Sequence, residues 1–174
     1  MTNYLITGIG GDIAQGISRI IRSYDKKAFL IGSDTTTHHA GLLFVNHFKV
    51  VAAASDSDSY LKSIKSLITE FDVTHLIPTS EAELETISNH IDVFKNVHVI
   101  FPGAKVVETC VDKYITNKFL SSIGIPVPWT TTAQEAIPVD YPCIFKVRKG
   151  AGSKILFTVE NAGEALFLAK RFQD

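Results

Sequence analysis

The residues best suited to chemistry lie in the C-terminal part of the chain. Lys113 precedes a proline-containing segment, and Phe145-Lys146-Val147-Arg148-Lys149-Gly150-Ala151-Gly152-Ser153 follows it. Ammonium groups at Lys113 and Lys146 can neutralise a triphosphate, while the amides of a glycine loop fold over it and exclude water. The loop joins two strand-like segments, so it is not the GxxxxGK[ST] phosphate loop, which leads from a strand into a helix. An ordinary charged hairpin tip has the same composition, with Lys and Arg supplying solubility and edge protection.

A second glycine loop, Thr7-Gly8-Ile9-Gly10-Gly11-Asp12, follows the first strand-like run. Its backbone N–H groups and the helix N-terminus behind it can approach a polar or anionic ligand closely. It departs from the dinucleotide GxGxxG pattern, because Ile13 stands at the third glycine. Asp34 occupies the place after the second strand where an acid would hold a ribose hydroxyl. Tyr114 and Lys118 have the YxxxK spacing of short-chain dehydrogenases, but the serine that accompanies it roughly a dozen residues earlier is missing. One helical turn apart, the two are simply neighbours. His38 and His39 are adjacent and would point to opposite sides of a strand, a poor arrangement for one metal ion. Cys110 and Cys143 sit among apolar neighbours and are expected as buried, reduced thiols, forming neither a disulfide framework nor a zinc cage.

The elements that must position these residues follow from periodicity. Strand-like runs at Tyr4 to Thr7, Ala28 to Gly32, Phe48 to Val51, His75 to Pro78 and Val97 to Phe101 alternate with amphipathic stretches, as in a parallel sheet covered on both faces. The last run is apolar enough for burial on both sides. Asp12 opens a helix with Ile13, Ile17, Ile20 and Ile21 inward. Residues 56–59 cap a second helix with Leu61, Ile64, Leu67, Ile68 and Phe71 inward, and a third carries Leu84, Ile87, Ile91 and Phe94. Asp112 starts a further helix with Ile115, Phe119, Leu120 and Ile123 inward, stopped by Gly124, Pro126 and Pro128, whose segment is expected to link two domains. Beyond it, Cys143 to Val147 and Lys154 to Val159 read as a hairpin, followed by a helix from Ala162 to Phe172 with Ala165, Leu168, Ala169 and Phe172 on one stripe. One hairpin and one helix make a poor independent core. The expected domains are 1–105, Rossmann-like, and 106–174, a linker helix with an incomplete α+β part.

With 174 residues, 45% of them apolar, the chain can bury one core and part of another. Lys and Arg (17) nearly balance Asp and Glu (18), so no basic excess attracts nucleic acid or a membrane surface. No segment reaches membrane-spanning length and no cationic leader precedes an apolar run, which points to a cytoplasmic protein.

In the order of its motifs the chain resembles the ATP-grasp superfamily, specifically proteins similar to the carbamoyl-phosphate synthase large subunit and related carboxylate ligases. The series is the first glycine loop, His75-Leu-Ile-Pro-Thr-Ser-Glu81, Asp112-Lys113, Gly124-Ile-Pro-Val-Pro128, Lys146 and the loop Gly150 to Ser153. The resemblance implies a pre-ATP-grasp domain followed by the start of an ATP-grasp domain. It implies that Lys113 and Lys146 contact ATP phosphates, with Gly150, Gly152 and Ser153 in the loop that closes over them. Val147 stands where the family often has proline, and Arg148 and Lys149 are candidate helpers. Gly10, Gly11, Ser80 and Glu81 are candidate contacts for a small carboxylate substrate.

The family's magnesium ligands and adenine-recognising strand are expected beyond residue 174. The chain alone is therefore expected to be an inactive, truncated fragment, its orphaned apolar faces able to pair copies into a homodimer. Two rival expectations are a NAD(P)-dependent oxidoreductase, resting on the first glycine loop, Asp34 and YxxxK, and a non-catalytic binding module.

Overall fold

The computed structural model describes residues 2–150 and 155–172, and the chain divides into two compact units, Met1–Val107 and Glu108–Asp174. In the first unit, β1 (Asn3–Thr7), β2 (Phe29–Asp34), β3 (His47–Val50), β4 (His75–Ile77) and β5 (His98–Val99) form one sheet in the order β3-β2-β1-β4-β5. Every pairing is parallel, with Leu5 opposite Ile31 on one side and Leu76 on the other. Parallel neighbours need crossovers. The helices α1 (Asp12–Tyr24), α2 (Ser57–Glu70) and α3 (Glu81–Asn89) supply three of them, and a short 3-10 turn at Ala40–Phe44 lies between β2 and β3. Strand order reverses at β1, so the carboxyl ends of β2, β1 and β4 open around one crevice.

Alternation along the strands separates two cores. Leu5, Ile31 and Leu76 join Tyr60, Leu61, Ile64 and Leu67 of α2 and Ile87 of α3. Their strand neighbours Ile6, Leu30 and Ile77 instead pack with Ile9 and Ala14.

Several expected details are corrected. On α1, Ile13 and Ile20 are exposed and the buried positions are Ala14 and Ser18, small residues that let the helix lie close to the sheet. The strand expected over Val97 to Phe101 is reduced to β5, an edge strand paired only with β4, which leaves Ile100 44% exposed. The third helix ends at Asn89, and Ile91 and Phe94 belong to a separate 3-10 turn, Ile91–Phe94.

A helix not expected from the sequence, α4 (Ala104–Val111), spans the division between the units. It carries Cys110, which is exposed; Cys143 is partly buried.

The second unit contains α5 (Lys113–Ser122), the antiparallel pair β6 (Cys143–Lys146) and β7 (Leu156–Val159), and α6 (Ala162–Arg171). Cys143 and Phe145 of β6 pack with Val159 of β7 and Ala165 and Leu168 of α6. The opposite hairpin face, with Ile144, Lys146 and Leu156, is open. No residue of α5 is buried, and Ile115, Phe119 and Ile123, expected inward, are 38 to 56% exposed. The proline segment is not a link between units but part of the second, tied back to α5 where Asn117 Nδ2 donates to Pro128 O (2.9 Å) and Thr130 Oγ1 (2.9 Å).

Candidate functional site

In the second unit the first turn of α5 meets the end of β6. Asp112 caps α5 through Oδ1, accepting from Tyr114 N (2.9 Å) and Ile115 N (3.2 Å). Its carboxylate, 5% exposed, also grips Arg148, with Nη2 to Oδ2 at 2.6 Å and Nε to Oδ1 at 3.2 Å. Burial alone would push the Asp112 carboxyl up. The Arg148 guanidinium and the two capping amides outweigh that and hold it below the usual carboxylate range. The same contact raises Arg148.

Lys113, the next residue, points along the same line. Its N–H donates to Arg148 O (3.0 Å) and its ammonium to Gly150 O (2.7 Å), with Arg148 O at 3.4 Å. Gly150 has φ +121, a backbone conformation that a side chain rarely adopts. Lys113 and Gly150, both named from the sequence, are thus in direct contact. Lys146 lies on the open face of β6, exposed and without a partner among the described residues. Gly152 and Ser153 lie outside the described residues.

Tyr114 and Lys118 take the structural role their spacing allows. Lys118 Nζ sits 5.1 Å above the Tyr114 ring, Arg148 lies 5.2 Å from the same ring, and the Tyr114 hydroxyl donates to Glu135 (2.7 Å). Tyr114 donation, followed by the Thr132 amide, lowers Glu135.

The first unit has its own cleft at the crevice, about 480 Å³, with Gly11, Asp34, Thr79, Ser80 and Glu83 among its lining residues. Of the four candidate substrate contacts, Gly11 and Ser80 line it and Gly10 and Glu81 do not. The Gly10 amide donates to Asp34 Oδ2 (2.8 Å), and the Thr35 amide takes Oδ1 (2.7 Å). The carboxylate that a dinucleotide ribose would need is therefore already holding the loop. Gly8, at φ +59, is demanded by space as well as by conformation, since a Cβ there would stand 2.8 Å from Thr79 Oγ1.

Ser80 is the N-cap of α3. Its Oγ accepts from Glu83 N (3.3 Å) and donates to Glu83 Oε2 (2.8 Å), and Ser80 N also donates to that oxygen (3.1 Å). The Ser80-x-x-Glu83 spacing is the sequence signal of this capping box. Glu83, not Glu81, is the buried acid here, 7% exposed. Beneath it, Thr7 and Tyr60 are fully enclosed, and the Tyr60 hydroxyl faces Thr7 and Glu83 without completing a hydrogen bond to either. Burial, and then the Glu83 charge, push the Tyr60 phenol far above the ordinary tyrosine range. The signal that brings Thr7, Tyr60 and Glu83 together is the fold, not their separation in the chain.

Among the described residues no group of three His, Cys, Asp or Glu side chains stands close enough to hold a metal ion. Likewise, no described helix is long and apolar enough to cross a membrane.

Residues 110–172, which contain the Lys113, Arg148 and Gly150 cluster, match the family model of the ATP-grasp domain. Solved enzyme structures are similar over nearly the whole chain. N5-carboxyaminoimidazole ribonucleotide synthetase from Thermotoga maritima is 21% identical with TM-score 0.65, over 96% of this chain and 43% of its own. L-amino acid ligase from Bacillus licheniformis is 14% identical with TM-score 0.69, over 99% and 42%. The biotin carboxylase βγ-ATP complex from Campylobacter jejuni is 21% identical with TM-score 0.67, over 99% and 43%. The chain thus spans less than half the length of each. No curated protein matches the chain. The family-model match makes residues 110–172 similar to an ATP-grasp domain, and the likeness to the solved structures shows a shared α/β fold.

Proposed function

We propose that this chain provides the front domain and the phosphate-gripping start of the ATP site of an ATP-dependent carboxylate ligase. The observation that carries the reading is the Lys113 ammonium resting on the Gly150 carbonyl, in the loop that follows the strand ending in Lys146. One cation from α5 and one from β6 thereby serve a single hairpin within the segment matched to the ATP-grasp domain. Carbonyl oxygens hold the Lys113 ammonium, and phosphate oxygens of ATP would replace them with stronger, charge-assisted bonds. Beside Lys146, the exposed Ile144 and Leu156 offer an apolar surface to the rest of a nucleotide.

In the reaction this supports, ATP phosphorylates a small carboxylate and an amine or other nucleophile displaces the phosphate. The likeness to the carbamoyl-phosphate synthase large subunit belongs to this proposal and rests on motif order. Gly11 and Ser80 of the first-unit cleft are its proposed substrate contacts, with Glu83 added. Magnesium would supply charge neutralisation for the triphosphate in such a ligase.

The test is calorimetric titration of the chain with magnesium-ATP beside Lys146→Ala. The expected result is affinity lowered about tenfold or more, equivalent to ~1.4 kcal/mol, with melting unchanged because the Lys146 side chain is exposed and makes no hydrogen bond or ion pair with a described residue. Equal affinity for both proteins would remove Lys146 from the site.

A further inference from the structure

We infer that Asp112 and Arg148 form a positioning pair, which holds Lys113 and the exit of β6 in the geometry a polyphosphate requires without itself contacting the phosphate. The inference rests on the phosphate reading proposed above and adds two residues to it.

Three observations carry it. First, Arg148 is already committed: two of its guanidinium nitrogens bond the nearly buried Asp112 carboxylate and its plane lies near the Tyr114 ring. A guanidinium so neutralised has little charge left for a ligand, and freeing it would strand a buried carboxylate. Second, the contact is reciprocal. The side chain of Arg148 reaches Asp112 while its backbone carbonyl receives the Lys113 amide, so residues 112–113 grip residue 148 at two points. Third, Asp112 Oδ1 also accepts the first two capping amides of α5, which fixes the helix that carries Lys113 against the same carboxylate. Bidentate Arg–carboxylate geometry sets orientation as well as distance, which a single lysine contact cannot do. Loss of the pair would leave both phosphate lysines in the chain but no longer held to one frame.

A direct phosphate role for Arg148 makes the opposite forecast for its partner. Were Arg148 a phosphate ligand, removing the Asp112 charge would liberate a cation and tighten polyphosphate binding. Were it a positioning residue, the same change would weaken binding. Asp112→Asn is the discriminating variant because Asn remains a good N-cap.

The experiment uses the full chain, inorganic tripolyphosphate as probe, and Asp112→Asn, Arg148→Gln and the double variant, with Lys146→Ala as a separate control. Binding is measured by calorimetry and protection of the Lys113 amide by hydrogen exchange. The inference expects each single variant to bind several-fold more weakly, the double variant to be no worse than either, and Lys113 to lose protection in all three. Lys146→Ala should lose binding with Lys113 protection intact, which separates the phosphate reading from the clasp. Equal or tighter binding by Asp112→Asn, additive losses in the double variant, or retained Lys113 protection would each overturn it. A native chain that does not bind tripolyphosphate overturns the phosphate reading, and the pair then positions nothing.

Discussion

Asp34 and Asp112 are both acids at the end or start of an element, and their surroundings give them different work. Asp34 lies where a ribose would be recognised, yet its oxygens accept the Gly10 and Thr35 amides, so it rigidifies the loop it was expected to serve. Asp112 caps a helix and binds Arg148. Position in the sequence revealed that these acids matter; only geometry revealed which donors they meet. The Asp112 pair also predicts a pH dependence. Its folded-state carboxyl lies below the ordinary value, so its contribution is fully present above about pH 4, the unfolded range, and is lost as pH falls through the depressed value. Arg148 is half exposed, which screens and limits the effect. Thermal melting of the native chain and Asp112→Asn should therefore differ near neutrality and converge in acid. A gap that persisted below pH 2 would contradict a charge origin. The capping-box spacing marks Glu83 as a helix-start acid, but nothing in the spacing of Glu83 and Tyr60 announces that α2 and α3 bring both to Thr7.

Helical elements show why pattern reading succeeded in kind and slipped in detail. All five parallel strands and the closing hairpin occur where apolar runs were read, and the inner strands β1, β2 and β4 are the ones buried enough to need continuous apolar character. The buried stripe of α1 keeps the expected Ile17 and Ile21 but turns toward Ala14 and Ser18 rather than Ile13 and Ile20, because small residues let the helix lie close to the sheet. The helix α4 was overlooked because its eight residues follow Gly103 and precede the better-marked cap at Asp112. Two element-level changes test these assignments. Ser80→Ala removes the N-cap acceptor of α3 and should destabilise the chain by about 1 kcal/mol. Ile64→Ala opens a cavity beneath α2, at a residue with no exposure, and should cost about 2–5 kcal/mol. Denaturant unfolding checks both. A larger loss for Ser80→Ala than for Ile64→Ala would mean that the buried face of α2 is wrongly identified.

Across the whole molecule, the two units present different candidate surfaces. The first offers a cleft at the strand ends with a buried acid and two enclosed hydroxyls; the second offers lysines on a hairpin and a helix start. Near-neutral composition made small ligands plausible, and motif order pointed to the ATP-grasp resemblance. The two-point grip between residues 112–113 and 148 depended on contacts separated by many residues, which no local pattern encodes. The most direct measurement of the central claim is a residue-resolved NMR titration of the chain with tripolyphosphate. The account predicts signal changes that saturate at Lys113, Lys146 and Gly150, with those of Gly8, Gly10 and Asp34 unmoved. Saturating changes at the first glycine loop and Asp34, with Lys113 and Lys146 unaffected, would contradict it.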